Sequence, residues 1–130
     1  MSVLVRAAVE RELGLDHLEM AWVNGVKMSD ESADAICLAA KKHDVSLTAH
    51  APYYVNLCGE PDVVDRSVAR LEEVARIGTR CGAESFCFHA GFYGKVEHTL
   101  ANERVVGELK RLVGSVRKAG GRVRISAQLI

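Results

Sequence analysis

Two histidines, His50 and His89, end the β-like runs VSLTAH and ESFCFH. An imidazole nitrogen ligates zinc and other transition metals, and the ring also exchanges a proton near neutral pH. Each histidine has two readings: it caps its strand end by hydrogen bonding, or it reaches a metal ion. Matching positions on two strands strengthen the metal reading, because neighbouring strands lie about 4.8 Å apart and can converge on one ion. Behind His50 come Tyr53, Tyr54 and Asn56, in the stretch AHAPYYVNL. The tyrosines either pack one under the loop and one on its surface, or stand ready to meet a ligand. The other histidines, His17, His43 and His98, sit early in a strand, at a helix end and at a helix start; the last two read as solvated.

These side chains need a scaffold, and the chain alternates helix and strand signals. Val3 to Leu13 reads as a helix stopped by Gly14, followed by a strand from Asp16 to Ala21. Ser29 caps a helix to about His43, with Ala33, Ile36, Cys37 and Ala40 on its apolar side. A strand follows at Val45–Ala49. Pro61 opens a helix that ends near Cys81-Gly82. Glu84–His89 is the third strand, Thr99 to Ala119 the fourth helix, and Arg122–Gln128 the fourth strand. Strand and helix in alternation predict an α/β fold of right-handed βαβ units around a parallel sheet.

Side chains alternate between the two faces of a strand. Leu18, Met20, Val45, Leu47, Ala49, Phe86, Phe88, Val123 and Ile125 share one face. His17, Glu19, Ser46, Thr48, His50, Cys87, His89, Arg124, Ser126 and Gln128 share the other. Helices are expected on the apolar face alone. His50 and His89 then stand on the polar face at the C-terminal strand ends, where parallel α/β folds place their chemistry. Gln128 takes the equivalent point on the fourth strand, and Glu19 lies near it on the first.

The chain has 130 residues, the size of one domain. Seventeen Lys and Arg balance seventeen Asp and Glu, so net charge lends no support to nucleic-acid binding. No GxGxxG or GxxxxGK[ST] turn supports dinucleotide or P-loop binding. The N-terminus is too charged for a signal peptide, and no apolar run approaches the roughly 20 residues of a membrane span. The four cysteines have no CxxC spacing and read as reduced thiols of a cytoplasmic protein.

The stretch AHAPYYVNL resembles the endonuclease IV family, in which a strand-end histidine opens an H-x-x-Y-x-x-N-L loop. ESFCFHAGFY is similar to that family's next strand, where a small residue and glycine follow the histidine. GLDHLEMAWVNGVKMSDESA resembles the archaeal branch of the family around its second strand, and SVARLEEVARIGTRCGA has the matching register between the two histidine motifs, so the resemblance covers nearly the whole chain. It implies a xylose isomerase-like TIM barrel that cleaves DNA at abasic sites with zinc. On that basis His50 and His89 match two zinc ligands, and Tyr53, with Tyr54 beside it, matches a residue that enters the DNA groove. Asn56, Trp22, Asn24 and Lys27 become further candidates for DNA contact.

Two features depart from the family pattern. Gln128 stands where a metal-bridging glutamate is expected, and an amide offers no charge. Four strands are visible, where a TIM barrel has eight and about 250 residues. The expectation is therefore one domain over residues 1–130 forming a partial TIM barrel of about four βα units. A fragment of a longer reading frame is the favoured explanation. A half-barrel that pairs with another chain and a non-catalytic relative are the others. Two rival functions stay open. One is a sugar isomerase or epimerase of the same barrel group, in which Glu19 gains importance. The other is a non-catalytic half-barrel that dimerises over its polar strand face.

Overall fold

The computed structural model describes residues 3–22 and 25–129. The element order is α1 (Val3–Glu12), β1 (His17–Ala21), α2 (Asp30–His43), β2 (Ser46–His50), α3 (Pro61–Cys81), β3 (Ser85–Gly91), α4 (His98–Lys118) and β4 (Arg124–Leu129). The strands form one parallel sheet in the order β1-β2-β3-β4. All eight expected elements are present. β2 takes in His50, and β3 continues past His89 to Gly91. Four βα units in this order are the arrangement of a partial TIM barrel.

Local chemistry sets the helix ends. Ser29 accepts a hydrogen bond from the Ser32 amide and caps α2, whose first turn carries Asp30 and Glu31. At the other end Asp44 adopts a left-handed conformation, φ 54°, and its N–H returns to the carbonyls of Ala40 and Lys41. Pro61 occupies the first turn of α3, and Gly82, φ 83°, closes that helix.

Helices cover one face of the sheet, as the alternation predicts. Leu18, Met20, Leu47, Ala49, Phe86 and Phe88 are buried there against Ile36, Leu71, Val74, Ile77 and Leu112. The opposite face holds His17, Glu19, Thr48, His50, Cys87, His89 and Gln128, none of them fully buried. Burying a leucine- or phenylalanine-sized side chain is worth about 1.5–3 kcal/mol. One-sided burial therefore fixes the register that turns the histidines to the polar face, since a one-residue slip would exchange the two faces.

Candidate metal centre

His50 is the last residue of β2. Its Nδ1 lies 2.8 Å from the carbonyl oxygen of Ala51. A carbonyl only accepts, so Nδ1 carries the proton and Nε2 of the neutral ring keeps a lone pair. His89 stands near the end of β3. Its Nδ1 is buried and has no hydrogen-bond partner among the described residues. The two rings meet with centroids 5.3 Å apart. They are not side by side in the ladder: His50 pairs with Cys87, two residues before His89. The stagger between β2 and β3, rather than equal register, brings the rings together.

Tyr53 completes a three-ring cluster. Its ring centroid is 5.3 Å from that of His50 and 5.8 Å from that of His89, and the residue is 55% exposed. Tyr54, 48% exposed, lies under the Arg70 guanidinium at 4.7 Å, and Arg70 also donates to the Tyr54 carbonyl. Arg70 escaped sequence reasoning because it comes from α3, sixteen residues away, with no local motif to mark it.

The loop bearing the tyrosines is tied to the end of β3. Asn56 Oδ1 accepts from the Cys58 amide at 3.1 Å, and the Cys58 thiol donates to the Phe92 carbonyl at 3.2 Å. Gly91, φ 149°, passes so close that a Cβ there would meet Asn56 Cγ and Cys58 Sγ, each at 3.2 Å. The Asn56 amide is thus engaged inside the loop. Trp22 is 8% exposed and belongs to the core, so the expected DNA-contact role gives way to packing: a ring enclosed by apolar neighbours has no free face for a groove. Lys27 is exposed, and Asn24 lies outside the described residues.

His17 lies across β2, with Nδ1 2.7 Å from Ser46 Oγ and Nε2 2.9 Å from Thr48 Oγ1. Both nitrogens are engaged, which separates it from His50 and His89. His98 is exposed and stacks on Tyr93 at 3.8 Å. Burial, with the Glu19 charge adding to it, pushes the Cys87 thiol up. Gln128 is exposed and pairs in register with His89, carrying the donor row to the sheet edge.

The donor chemistry suits a divalent transition metal in part. His50, with its Nε2 lone pair, and His89, whose buried Nδ1 lacks a partner among the described residues, supply two imidazole donors on rings whose centroids are 5.3 Å apart. Catalytic zinc uses three protein ligands. No group of three or more His, Cys, Asp or Glu that could hold one ion occurs among the described residues.

Comparison with known proteins agrees with this architecture. The chain is 31% identical, over 106 residues, to an uncharacterised protein of Methanocaldococcus jannaschii; the match covers 81% of this chain and 38% of that protein. Endonuclease IV from Thermus thermophilus superposes with a TM-score of 0.73 at 22% identity, over 98% of this chain and 46% of that one. D-psicose 3-epimerase from Clostridium cellulolyticum superposes with a TM-score of 0.81 at 16% identity, over 96% and 46%. An AP endonuclease of family 2 from Brucella melitensis gives 0.71 at 10% identity, over 98% and 49%. The chain spans less than half the length of each of these relatives. The likenesses to solved structures speak for the fold. Residues 7–126 match the family of xylose isomerase-like TIM barrels, and the chain belongs to that family.

Proposed function

We propose that this chain serves an endonuclease IV-like, zinc-dependent cleavage of DNA at abasic sites, with His50 and His89 as metal ligands. The observation that carries the reading is the cluster of His50, His89 and Tyr53 rings at the C-terminal strand ends. A divalent ion held there supplies Lewis acidity toward a phosphate oxygen and toward water. His50 offers Nε2 because the Ala51 carbonyl holds its other nitrogen. Tyr53 stands beside both imidazoles, with ring centroids 5.3 and 5.8 Å away. Tyr54, backed by Arg70, presents an aromatic ring with a cation behind it. Such a pair suits a base step and its phosphate. Asn56 supports this reading by holding the loop that carries the tyrosines.

A second reading is a keto-sugar isomerase or epimerase. Its supporting observation is Glu19, an exposed carboxylate on the same sheet face as the histidines. The test is zinc binding by dialysis together with a nicking assay on duplex DNA carrying one abasic site. The expected result is nicking by the zinc-loaded chain, abolished in His50→Ala and His89→Ala. A zinc-loaded chain that neither nicks nor retains the duplex would overturn the proposal. Turnover of a keto-sugar with manganese or cobalt would transfer the site to the second reading.

A further inference from the structure

Among the described residues, β1 and β4 are the outer strands of the sheet. On the helix side α1 packs on α2, α2 on α3, and α3 on α4. Beyond α4 lies a groove lined by Val106, Leu109, Val113 and Ile125, with Val106 and Val113 exposed at 49% and 36%. That is where the next helix of the ring would lie. On the polar face, the row of paired residues runs Ala21–His50–Cys87–Ser126. It passes two residues short of His89, although His89 is the ring that meets His50. The row therefore descends toward the N-terminal strand end on passing from β2 to β3.

This descent is the stagger that closes a barrel. An eight-stranded TIM barrel has a shear of about eight, so a row followed once around returns eight residues displaced. In a barrel made of two identical halves, half a circuit displaces it by about four. The chain covers 46% of each of two barrel structures while matching 96% or more of itself. Two copies thus supply close to one barrel.

We propose that two copies of this chain close into one eight-stranded barrel, and that closure brings the second copy's Glu19 beside Gln128 to join His50 and His89. β4 of each copy lies against β1 of the other. The row through Ser126 then meets the residue about four before Ala21, which is His17 of the second copy. Two residues further on, Gln128 meets Glu19 of the second copy. The carboxylate absent from position 128 arrives across the interface. Two imidazoles and a carboxylate make up the three protein ligands of a catalytic zinc site. The second copy's α1 fills the groove beside α4, and no strand edge stays free. The ligand part of this proposal rests on the assignment of His50 and His89 given above; the closure does not.

The test uses the whole chain. Sedimentation at micromolar concentration should give twice the 14.2 kDa chain mass. In a Cys87→Ser background, Glu19→Cys with Gln128→Cys should form a disulfide between copies under diamide, because registered strand partners lie about 5 Å apart. Glu19→Cys with Arg124→Cys, out of register, should not. Glu19→Gln should keep the dimer and weaken zinc binding at least about ten-fold. A monomer, or a cross-link in the wrong register, overturns the closure. A correctly linked dimer whose zinc affinity ignores Glu19→Gln overturns the role of Glu19. A correctly linked dimer whose zinc affinity ignores His50→Ala overturns the ligand assignment instead.

Discussion

At the scale of single residues, the two histidines differ in how the fold treats them. His50 has a carbonyl partner for Nδ1, whereas His89 has a buried Nδ1 without one among the described residues. An unsatisfied buried polar group costs about 1–3 kcal/mol, a cost that a bound ion or a bridging group offsets. His89→Leu should therefore raise the stability of the metal-free chain by about 1 kcal/mol, read as a higher urea midpoint, while removing zinc binding. His50→Leu should give no such gain, because it discards a satisfied hydrogen bond. Equal effects of the two substitutions would remove the distinction between the rings. Sequence alone reached both histidines through strand alternation. It misplaced Trp22, because a residue just past a strand carries no sign of whether the loop folds back over the core.

At the scale of elements, the alternation of types settled strand faces, and capping residues settled most helix ends. Ser29, Pro61 and Gly82 stand at the expected boundaries, because their signals are local. The β2–β3 stagger was not legible, since register is set by pairing between segments far apart in sequence. The same holds for the clamp of Asn56, Cys58 and Gly91. A Cβ at Gly91 would collide with Asn56, and a side chain at φ 149° is strained as well. Gly91→Ala should destabilise the chain by about 2–3 kcal/mol. In an Asn56→Ala background the added cost should fall to about 1 kcal/mol, the backbone share alone. A chemical-denaturation double-mutant cycle measures the difference, and strict additivity would remove the clamp.

Helix α4 carries a pH dependence of its own. Glu97 accepts hydrogen bonds from the Thr99 and Leu100 amides, and these hold its carboxyl below the ordinary 4.5. Asp30 and Glu73 are lowered in the same direction, chiefly by hydrogen bonds from Arg76. A folded-state pKa below the unfolded one gives stability that is present above the unfolded value and lost as pH falls through the folded value. The melting temperature should therefore drop as pH falls from about 5 to about 3. Glu97→Gln, whose amide does not titrate, should make that drop shallower. A profile identical to wild type would show that the α4 cap contributes nothing to acid sensitivity.

At the scale of the whole molecule, a half-barrel with one polar sheet face has a core on one side only. The fold class was legible because four βα repeats write it into the sequence. What the polar face meets was not, because alternating polar residues read the same whether that face looks into a barrel lumen, a metal site or open water. Closure by a second copy has a thermodynamic signature independent of any metal. For a folded dimer that unfolds to separate chains, a tenfold rise in protein concentration adds about 1.4 kcal/mol to the apparent stability. With a urea slope of about 1–3 kcal/mol per molar, the midpoint should rise by roughly 0.5–1.4 M for each decade of concentration. Val113→Lys places a charge in the α4 groove where the second copy's α1 would rest, and it should flatten that dependence. Val113 is already 36% exposed in the single chain, so the substitution leaves the monomer core nearly intact. A wild-type midpoint that stays constant from about 1 to about 100 μM would mean that each half-barrel folds alone, and that its polar face is solvated rather than shared.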